Sequence, residues 1–348
     1  MHIETVNPVA WFLVGPTAVG KSAVAQFLAE RTGAAILSAD AMLVYRGMDI
    51  GTAKPLPAER GQVPYFGIDL VDPDQPFSSG AWLTRVRAQL AEARWQGRPA
   101  ATAAGALLAP AAGDLIVAGG TGLYVRALIQ GLEASASDPA RRNYWQERLE
   151  REGLVSLQRE LAARAPQGLA SLDDPGNPRR VIRALEHLEA HGALPHTWQD
   201  APRPRVVGLQ LPRADLHARI ARRVARMFAT GLIDEVAALR TRYSESWGMG
   251  DSHTSRGVRM PLDKVATAPL AIGYEEVCAL LDKRISREQA IEQIVIRTRQ
   301  LAKRQETWFR HQAEVAWVGI AADEPVEAIA ARVLAAWSEH GPTPIRLS

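Results

Sequence analysis

Gly15-Pro16-Thr17-Ala18-Val19-Gly20-Lys21-Ser22 has the spacing Gly, four residues, Gly-Lys-Ser. A loop of this pattern curls its backbone until successive N–H groups converge on phosphate oxygens, at the positive end of the helix that follows. Lys21 adds a mobile charge, and the Ser22 hydroxyl is placed to hold a Mg²⁺ ion. The flanks agree with the motif. Trp11-Phe12-Leu13-Val14 is a short apolar run before the loop, and Val24, Phe27 and Leu28 recur at helical spacing after it. The segment therefore predicts strand, phosphate loop, helix; a glycine-rich turn is the alternative.

Working outward, Gly33 marks a helix stop, and Ala34-Ala35-Ile36-Leu37 predicts a second buried strand running into Ser38-Ala39-Asp40. An acidic residue at the carboxyl end of a parallel strand faces the crevice where open α/β sheets bind ligands. Asp40 is a candidate base or metal-shell ligand on that ground, or else a helix N-cap. Met42 to Pro55, with its glycines and polar residues, predicts a functional loop. A further short strand is expected over Phe66 to Pro73, and a helix from about Gly80 to Trp95. Leu115-Ile116-Val117-Ala118, Gly119-Gly120-Thr121-Gly122 and Leu123 to Leu128 repeat the strand, glycine turn, helix layout. Thr121 is thereby expected to face the same crevice, with a simple packing turn as the other possibility.

The chain has 348 residues, 47% of them hydrophobic, which is enough for a large core and two domains. With 41 basic and 38 acidic residues its formal charge is only +3, so an affinity for anions must rest on local clusters. A single cysteine, Cys278, excludes an internal disulfide and a multi-cysteine metal site. No stretch approaches about 18 uninterrupted apolar residues. A cytoplasmic, membrane-free monomer is the expectation.

From Asp138 to Gly192 the chain turns charged and helical, without convincing strands, and it leaves this region through the Pro-rich Leu194 to Pro204 stretch. The expected fold class is α/β: a parallel sheet of the P-loop NTPase-like kind flanked by helices, formed by residues 1–137 and 200–348, with residues 138–199 as an inserted all-helical subdomain. Within the insert, Asn177-Pro178-Arg179-Arg180-Val181-Ile182-Arg183 opens a helix with three arginines near its start, where cations oppose the helix dipole. An anion to be met explains them; a solvated face is the alternative. His187 and His191 lack a third ligand and read as surface residues. Residues 98–113 and 243–268 predict irregular excursions. Near the end of the sequence, Ile291, Ile294, Val295, Thr298, Leu301, Ala302, Gln305, Trp308 and Phe309 describe an apolar helical stripe. Arg297, Arg299, Lys303, Arg304 and Arg310 lie beside it, as in a surface for phosphate backbone or an ordinary solvated helix.

Taken together, Gly15 to Ser22, Ser38-Ala39-Asp40, Val44 to Pro55, Gly119 to Tyr124, Asn177 to Glu186, Gly231 to Val236, Ala271-Ile272-Gly273-Tyr274 and Thr298 to Gln305 resemble the bacterial tRNA dimethylallyltransferases, also called tRNA isopentenyltransferases. The motifs fall in order from about residue 11 to 312. The resemblance implies transfer of a dimethylallyl group from dimethylallyl diphosphate to N6 of the adenosine immediately 3′ of the anticodon, with Mg²⁺ as cofactor and the tRNA anticodon stem-loop as partner. It implies Asp40, Thr121 and Lys21 as catalytic residues. Gly15, Pro16, Thr17, Ala18, Val19, Gly20, Lys21 and Ser22 would grip the diphosphate with Arg223 and, second, Arg219. Asp40, Ala41, Met42, Leu43 and Thr121 would meet the base, and Arg142, Arg179, Arg180, Arg183, Gly273 and Tyr274 the rest of the tRNA.

The sequence departs from that family where Ser and Gln are usual: Ala41 and Leu43 stand there, and Tyr65 and Phe66 replace two histidines. Two other classes fit parts of the pattern. A small-molecule P-loop kinase would use Asp40 or Asp69 beside the phosphate loop; a tRNA-binding protein with a decayed site would explain Ala41 and Leu43.

Overall fold

The first strand, β1 (Val9–Val14), is buried at every residue, which is the property of a strand covered on both faces of a parallel sheet. In the computed structural model, which describes residues 7–97, 109–131, 138–172, 174–194, 203–247, 254–255, 258–259 and 267–347, β1 is the centre of a parallel sheet. With β2 (Ala35–Ser38), β3 (Tyr65–Phe66), β4 (Leu115–Gly119), β5 (Arg205–Gln210) and β8 (Glu314–Gly319), the order is β3-β2-β4-β1-β5-β8. A short strand, β9 (Thr343–Pro344), runs antiparallel beside the start of β1.

Register places the functional turns. Val14 pairs with Gly119 and with Gly208, and Ser38 pairs with Ala118, so β1, β2, β4 and β5 end at one edge. Because β1 connects through α1 (Lys21–Thr32) to β2 while β4 lies between them, a crevice opens beyond the strand ends, as at the switch points of other doubly wound sheets. On the flanks, α1 packs with α13 (Val326–His340), and α3 (Ser79–Glu92) with α4 (Gly122–Gln130). The Trp11 and Trp337 rings lie 5.5 Å apart, and the Trp337 indole donates to the Phe12 carbonyl at 3.0 Å. The Trp11 indole donates to Asp114 at 3.0 Å; both indoles bury their ring without leaving the N–H unpaired.

The chain divides into two compact units, one of Met1–Gly131, Arg203–Asp251 and Ala266–Ser348, the other of Leu132–Pro202 and Ser252–Val265. The second unit is built on α5 (Pro139–Glu152), α6 (Leu154–Arg164) and α7 (Pro178–His191) around Trp145, Leu157, Leu161, Val181, Ile182, Ala184 and Leu185. Asp138 and Asn177 cap α5 and α7, each followed by proline at the first helical position, where its missing N–H costs nothing.

Two expectations change. The strand expected over Phe66 to Pro73 is only Tyr65–Phe66: Gly67 and Asp69 take positive φ, which breaks the extended run. Within the polar stretch 243–268 the structure forms a short helix, α10 (Ser244–Trp247), and a hairpin of β6 (Thr254–Ser255) and β7 (Val258–Arg259), elements too short for periodicity to reveal. Residues 98–108 and 195–202 lie outside the described residues. Among the described residues no helix is long and apolar enough to cross a membrane.

Candidate active site

Residues Gly15–Gly20 turn from β1 into α1 with Gly15, Ala18 and Gly20 all at positive φ. A methyl group on Gly15 would lie 2.7 Å from the Leu209 carbonyl of β5, so only glycine lets the loop leave the sheet here. The loop is braced from inside by Lys21, whose Nζ donates to the Pro16 carbonyl at 2.8 Å. Burial pulls the Lys21 pKa down to about 8, with the Asp40 carboxylate opposing that shift and the Arg223 charge adding to it. Ser22 stands exposed in the first turn of α1.

The acceptor side of the crevice is formed where β2 and β4 end. Thr121 N–H donates to the Ala39 carbonyl at 3.0 Å, and Ala39 N–H to the Ala118 carbonyl at 2.9 Å. The Ala41 N–H in turn donates to Thr121 Oγ1 at 3.0 Å. Asp40 Oδ1 accepts the Met42 N–H at 2.9 Å, a local turn that fixes the carboxylate and leaves Oδ2 uncommitted by that bond. Asp40 and Thr121 are thus brought together by the backbone, next to the phosphate loop. Neither caps a helix: Thr121 precedes α4 without a side-chain capping bond, and no helix begins at Asp40.

The two arginines of α8 (Arg213–Ala229) expected at the diphosphate behave differently. Arg223 is half-buried, donating through Nη2 to the Thr52 carbonyl at 2.8 Å and through Nη1 to Thr17 Oγ1 at 3.4 Å. Loss of solvent lowers its pKa, and the Asp40 charge opposes that. Among the described residues no carboxylate is ion-paired with it, and a partly desolvated cation held by neutral oxygens is suited to an anion. Arg219 is occupied by carbonyls of Val19 at 3.0 Å, Ala321 at 3.4 Å and Ala322. It braces the back of the phosphate loop.

Helix α12 (Arg287–Gln312) closes the other side. Gln305 Oε1 accepts the Thr17 N–H at 2.8 Å, and a methyl on Gly120 would lie 2.3 Å from Gln305 Nε2. A methyl on Gly122 would lie 2.1 Å from the Trp308 ring. The two glycines are therefore the price of packing α12 onto the acceptor turn. Of the five cations expected beside its apolar stripe, Arg297 is paired with Glu275 and Glu276 at 2.5 and 2.6 Å and Arg310 with Glu306 at 2.7 Å, whereas Lys303 and Arg304 are exposed.

The loop after Asp40 is ordered by buried charge. Lys54 Nζ reaches the Tyr45 carbonyl and Asp69 at 2.6 Å and Asp49 at 2.8 Å. Glu235, in the first turn of α9 (Leu232–Arg242), accepts the N–H groups of Asp49, Ile50 and Gly51 at 2.9, 2.7 and 3.2 Å, and the Tyr274 hydroxyl at 2.7 Å. Expected as a tRNA contact, Tyr274 is instead fully buried, and Gly273 with it. The phenol supports the Asp49–Gly51 turn because Gly51 lacks a side chain: a methyl there would lie 2.5 Å from the ring. Leu43 is also buried.

In the second unit Arg179, Arg180 and Arg183 are exposed on α7. Arg142 makes a two-pronged contact with the buried Glu186 at 2.9 and 3.2 Å, so its side chain has a structural partner within its own unit. His187 and His191 stack at 4.5 Å, with His187 Nδ1 2.9 Å from the Ala193 carbonyl.

Sequence reasoning gave no role to Gln305, Lys54 or Glu235. Gln305 carried a signal, being a polar residue inside an apolar stripe. Lys54 carried none, because nothing in its spacing shows that a loop folds Asp49 and Asp69 around it; Glu235 carried none, because the N–H groups it accepts lie more than 180 residues earlier.

A phosphate loop at the edge of a doubly wound parallel sheet, with an acidic residue following the second strand, defines the P-loop class. Within that class residues 43–312 match the IPP transferase family and residues 8–63 the isopentenyl transferase family. The tRNA dimethylallyltransferase of Anaeromyxobacter sp. (strain K) is 39% identical over 330 residues, 92% of this chain and 96% of that one. The tRNA dimethylallyltransferase of Streptomyces coelicolor is 38% identical over 88% of each chain. Among solved structures, the tRNA isopentenylpyrophosphate transferase of Bacillus halodurans superposes with a TM-score of 0.61 at 32% identity, covering 95% of this chain and 97% of that one. A eukaryotic dimethylallyltransferase acting on tRNA shares the fold, with a TM-score of 0.68 at 23% identity, covering 89% of this chain and 73% of that one. The chain belongs to the IPP transferase family of prenyl-transferring enzymes.

Proposed function

We propose that this enzyme transfers a dimethylallyl group from dimethylallyl diphosphate to N6 of the adenosine immediately 3′ of the anticodon in tRNA, releasing diphosphate. The observation that carries this reading is the convergence of the phosphate loop, Arg223, Asp40 and Thr121 on one sheet edge. In the reaction the N6 lone pair attacks C1 of the allyl group, the C1–O bond breaks with its electron pair leaving on the diphosphate, and a proton leaves N6. The loop N–H groups, Lys21 and Arg223 stabilise the charge that grows on the leaving diphosphate. Asp40 orients the exocyclic amine and takes its proton. Thr121, whose oxygen already accepts the Ala41 N–H, keeps its hydroxyl proton for the base.

The donor set suits Mg²⁺. Ser22 offers one exposed hydroxyl, and among the described residues no group of three His, Cys, Asp or Glu side chains could hold a metal alone. Mg²⁺ commonly binds through one or two protein oxygens and completes its shell with substrate phosphates and water. Bound there, it supplies further charge neutralisation on the diphosphate.

The target base must leave its stack to be reached. The exposed Arg179, Arg180 and Arg183 are suited to tRNA backbone, while Arg142 acts through Glu186, and Gly273 and Tyr274 act through the loop they support. The test is incubation with Mg²⁺, dimethylallyl diphosphate and unmodified tRNA, followed by mass spectrometry of the nucleosides. N6-dimethylallyl adenosine is the expected product; its absence with wild-type protein, with ATP turnover in its place, overturns the reading in favour of a kinase.

A further inference from the structure

A carboxylate that accepts three consecutive backbone N–H groups and a buried phenol is an unusually complete anchor, and Glu235 is such a group. What it anchors is a tight turn. Ala53 N–H donates back to the Ile50 carbonyl at 3.1 Å and Lys54 N–H to the Asp49 carbonyl at 2.9 Å, with Ala53 at a φ of 51°. The Thr52 hydroxyl donates to the Met48 carbonyl at 2.6 Å, so residue 52 is held from both directions. The Thr52 carbonyl emerging from this turn is the shorter of the two contacts that orient the Arg223 guanidinium, the other being Thr17 in the phosphate loop at 3.4 Å.

Resting on the reaction proposed above, we propose that Glu235 is a positioning residue for the leaving group: it fixes the 49–53 turn so that the Thr52 carbonyl aims Arg223 at the diphosphate. The anchor is well suited to this. Glu235 sits in the first turn of its helix, where a negative charge is favoured by the helix dipole. Burial and the Glu235 charge push the Tyr274 phenol well above its usual range, so it stays a hydrogen donor at any physiological pH. Gly51 allows the Tyr274 ring to close against the turn from the far side. Lys54 is tied to Asp49 and Asp69, which holds the other end of the turn without touching Arg223.

The test is a double-mutant cycle between Glu235→Gln and Arg223→Gln, read as KM for dimethylallyl diphosphate and, separately, as calorimetric affinity for inorganic diphosphate with Mg²⁺. Displacing a group that orients a charge by a fraction of an ångström to one ångström costs on the order of ten- to a hundredfold. E235Q is expected to weaken both readouts about tenfold in the wild-type background and less than twofold in R223Q, because the two act in series. A merely structural role would weaken both backgrounds equally, and that result, or no effect at all, overturns the proposal. Should E235Q lower the melting temperature so far that it cannot be assayed, Tyr274→Phe decides, since it keeps the ring against Gly51 and removes one donor. It is expected to weaken diphosphate binding two- to threefold with Arg223 present and not in its absence; no change overturns the proposal. Diphosphate binding that follows the cycle in a protein that transfers no prenyl group would sustain the role of Glu235 while refuting the assigned reaction.

Discussion

Thr121 Oγ1 accepts the backbone N–H of Ala41 at 3.0 Å, so the residue after Asp40 is tied to the glycine turn that ends β4. The Asp40 carboxylate and the Thr121 hydroxyl are thereby held by main chain, across two adjacent strands. Asp40→Asn preserves the oxygen that accepts the Met42 N–H but cannot take a proton. Product formation is expected to fall about 10²- to 10⁴-fold, while dimethylallyl diphosphate binds at least as tightly, since a negative charge has been removed beside it. A nucleoside time course paired with calorimetry checks both halves; an unchanged rate would remove Asp40 from the mechanism.

The Lys21 amine, pulled down to about 8 by burial, makes donor binding depend on pH. A bound diphosphate favours the charged amine and raises its pKa, so binding above pH 8 must be accompanied by proton uptake. Affinity for dimethylallyl diphosphate, measured without tRNA, is therefore expected to be flat below pH 8 and to fall by up to about tenfold per pH unit above it. In the free protein the sign is the opposite: a lysine lowered on folding costs stability below its folded pKa, and that penalty is relieved as pH rises from 8 toward 10.5. Lys21→Met should bind more weakly and lose the step; a step that persists in this variant would assign it elsewhere.

A methyl group on Gly119 would sit 2.2 Å from the Ala39 carbonyl oxygen. Unlike Gly120, whose neighbour is the end of a flexible glutamine, Gly119 faces backbone that cannot swing aside. Gly119→Ala is expected to cost at least about 2 kcal/mol by overpacking and to part Asp40 from Thr121. Thermal unfolding should show the loss directly, and Gly120→Ala should show less than half of it.

Arg183 and Arg142 should separate binding from stability. Arg183→Ala removes an exposed cation, so tRNA affinity should fall and the slope of log affinity against log salt should drop by roughly one phosphate contact, without a change in melting temperature. Arg142→Ala leaves the buried Glu186 without its two-pronged partner and is expected to destabilise the protein by about 3 kcal/mol. Salt titrations and thermal melts on both variants distinguish the two; an unchanged salt slope in Arg183→Ala would remove α7 from the tRNA surface.

Much of this was legible because the deciding features are local. Gly15 to Ser22 specifies its own loop, and the matching layouts around Asp40 and Thr121 follow from short apolar runs that end in polar turns. What stayed hidden depends on distant partners. The family resemblance implies Tyr274 as a tRNA contact, yet its ring fills the space that Gly51 leaves, more than two hundred residues earlier. Arg219 and Arg223, four apart on one helix face, are chemically equivalent in sequence; only the carbonyls each one meets distinguish a brace from an anion site. The Arg297 charge was visible, but not Glu275 and Glu276 on another helix, which neutralise it.

The position of β1 between β4 and β5 also governs how the molecule comes into being. The strand that carries the phosphate loop is translated before both of its parallel neighbours, which do not exist until positions 115 and 205 have been made. Trp337, which caps the Phe12 carbonyl, arrives later still. Pairing across such separations is slow, so on the ribosome the nascent segment must wait, apolar on both faces, for most of synthesis. Chaperone dependence should accordingly be greatest for that first strand, and its Trp11-Phe12-Leu13-Val14 run is where a stalled or truncated nascent chain would begin to aggregate.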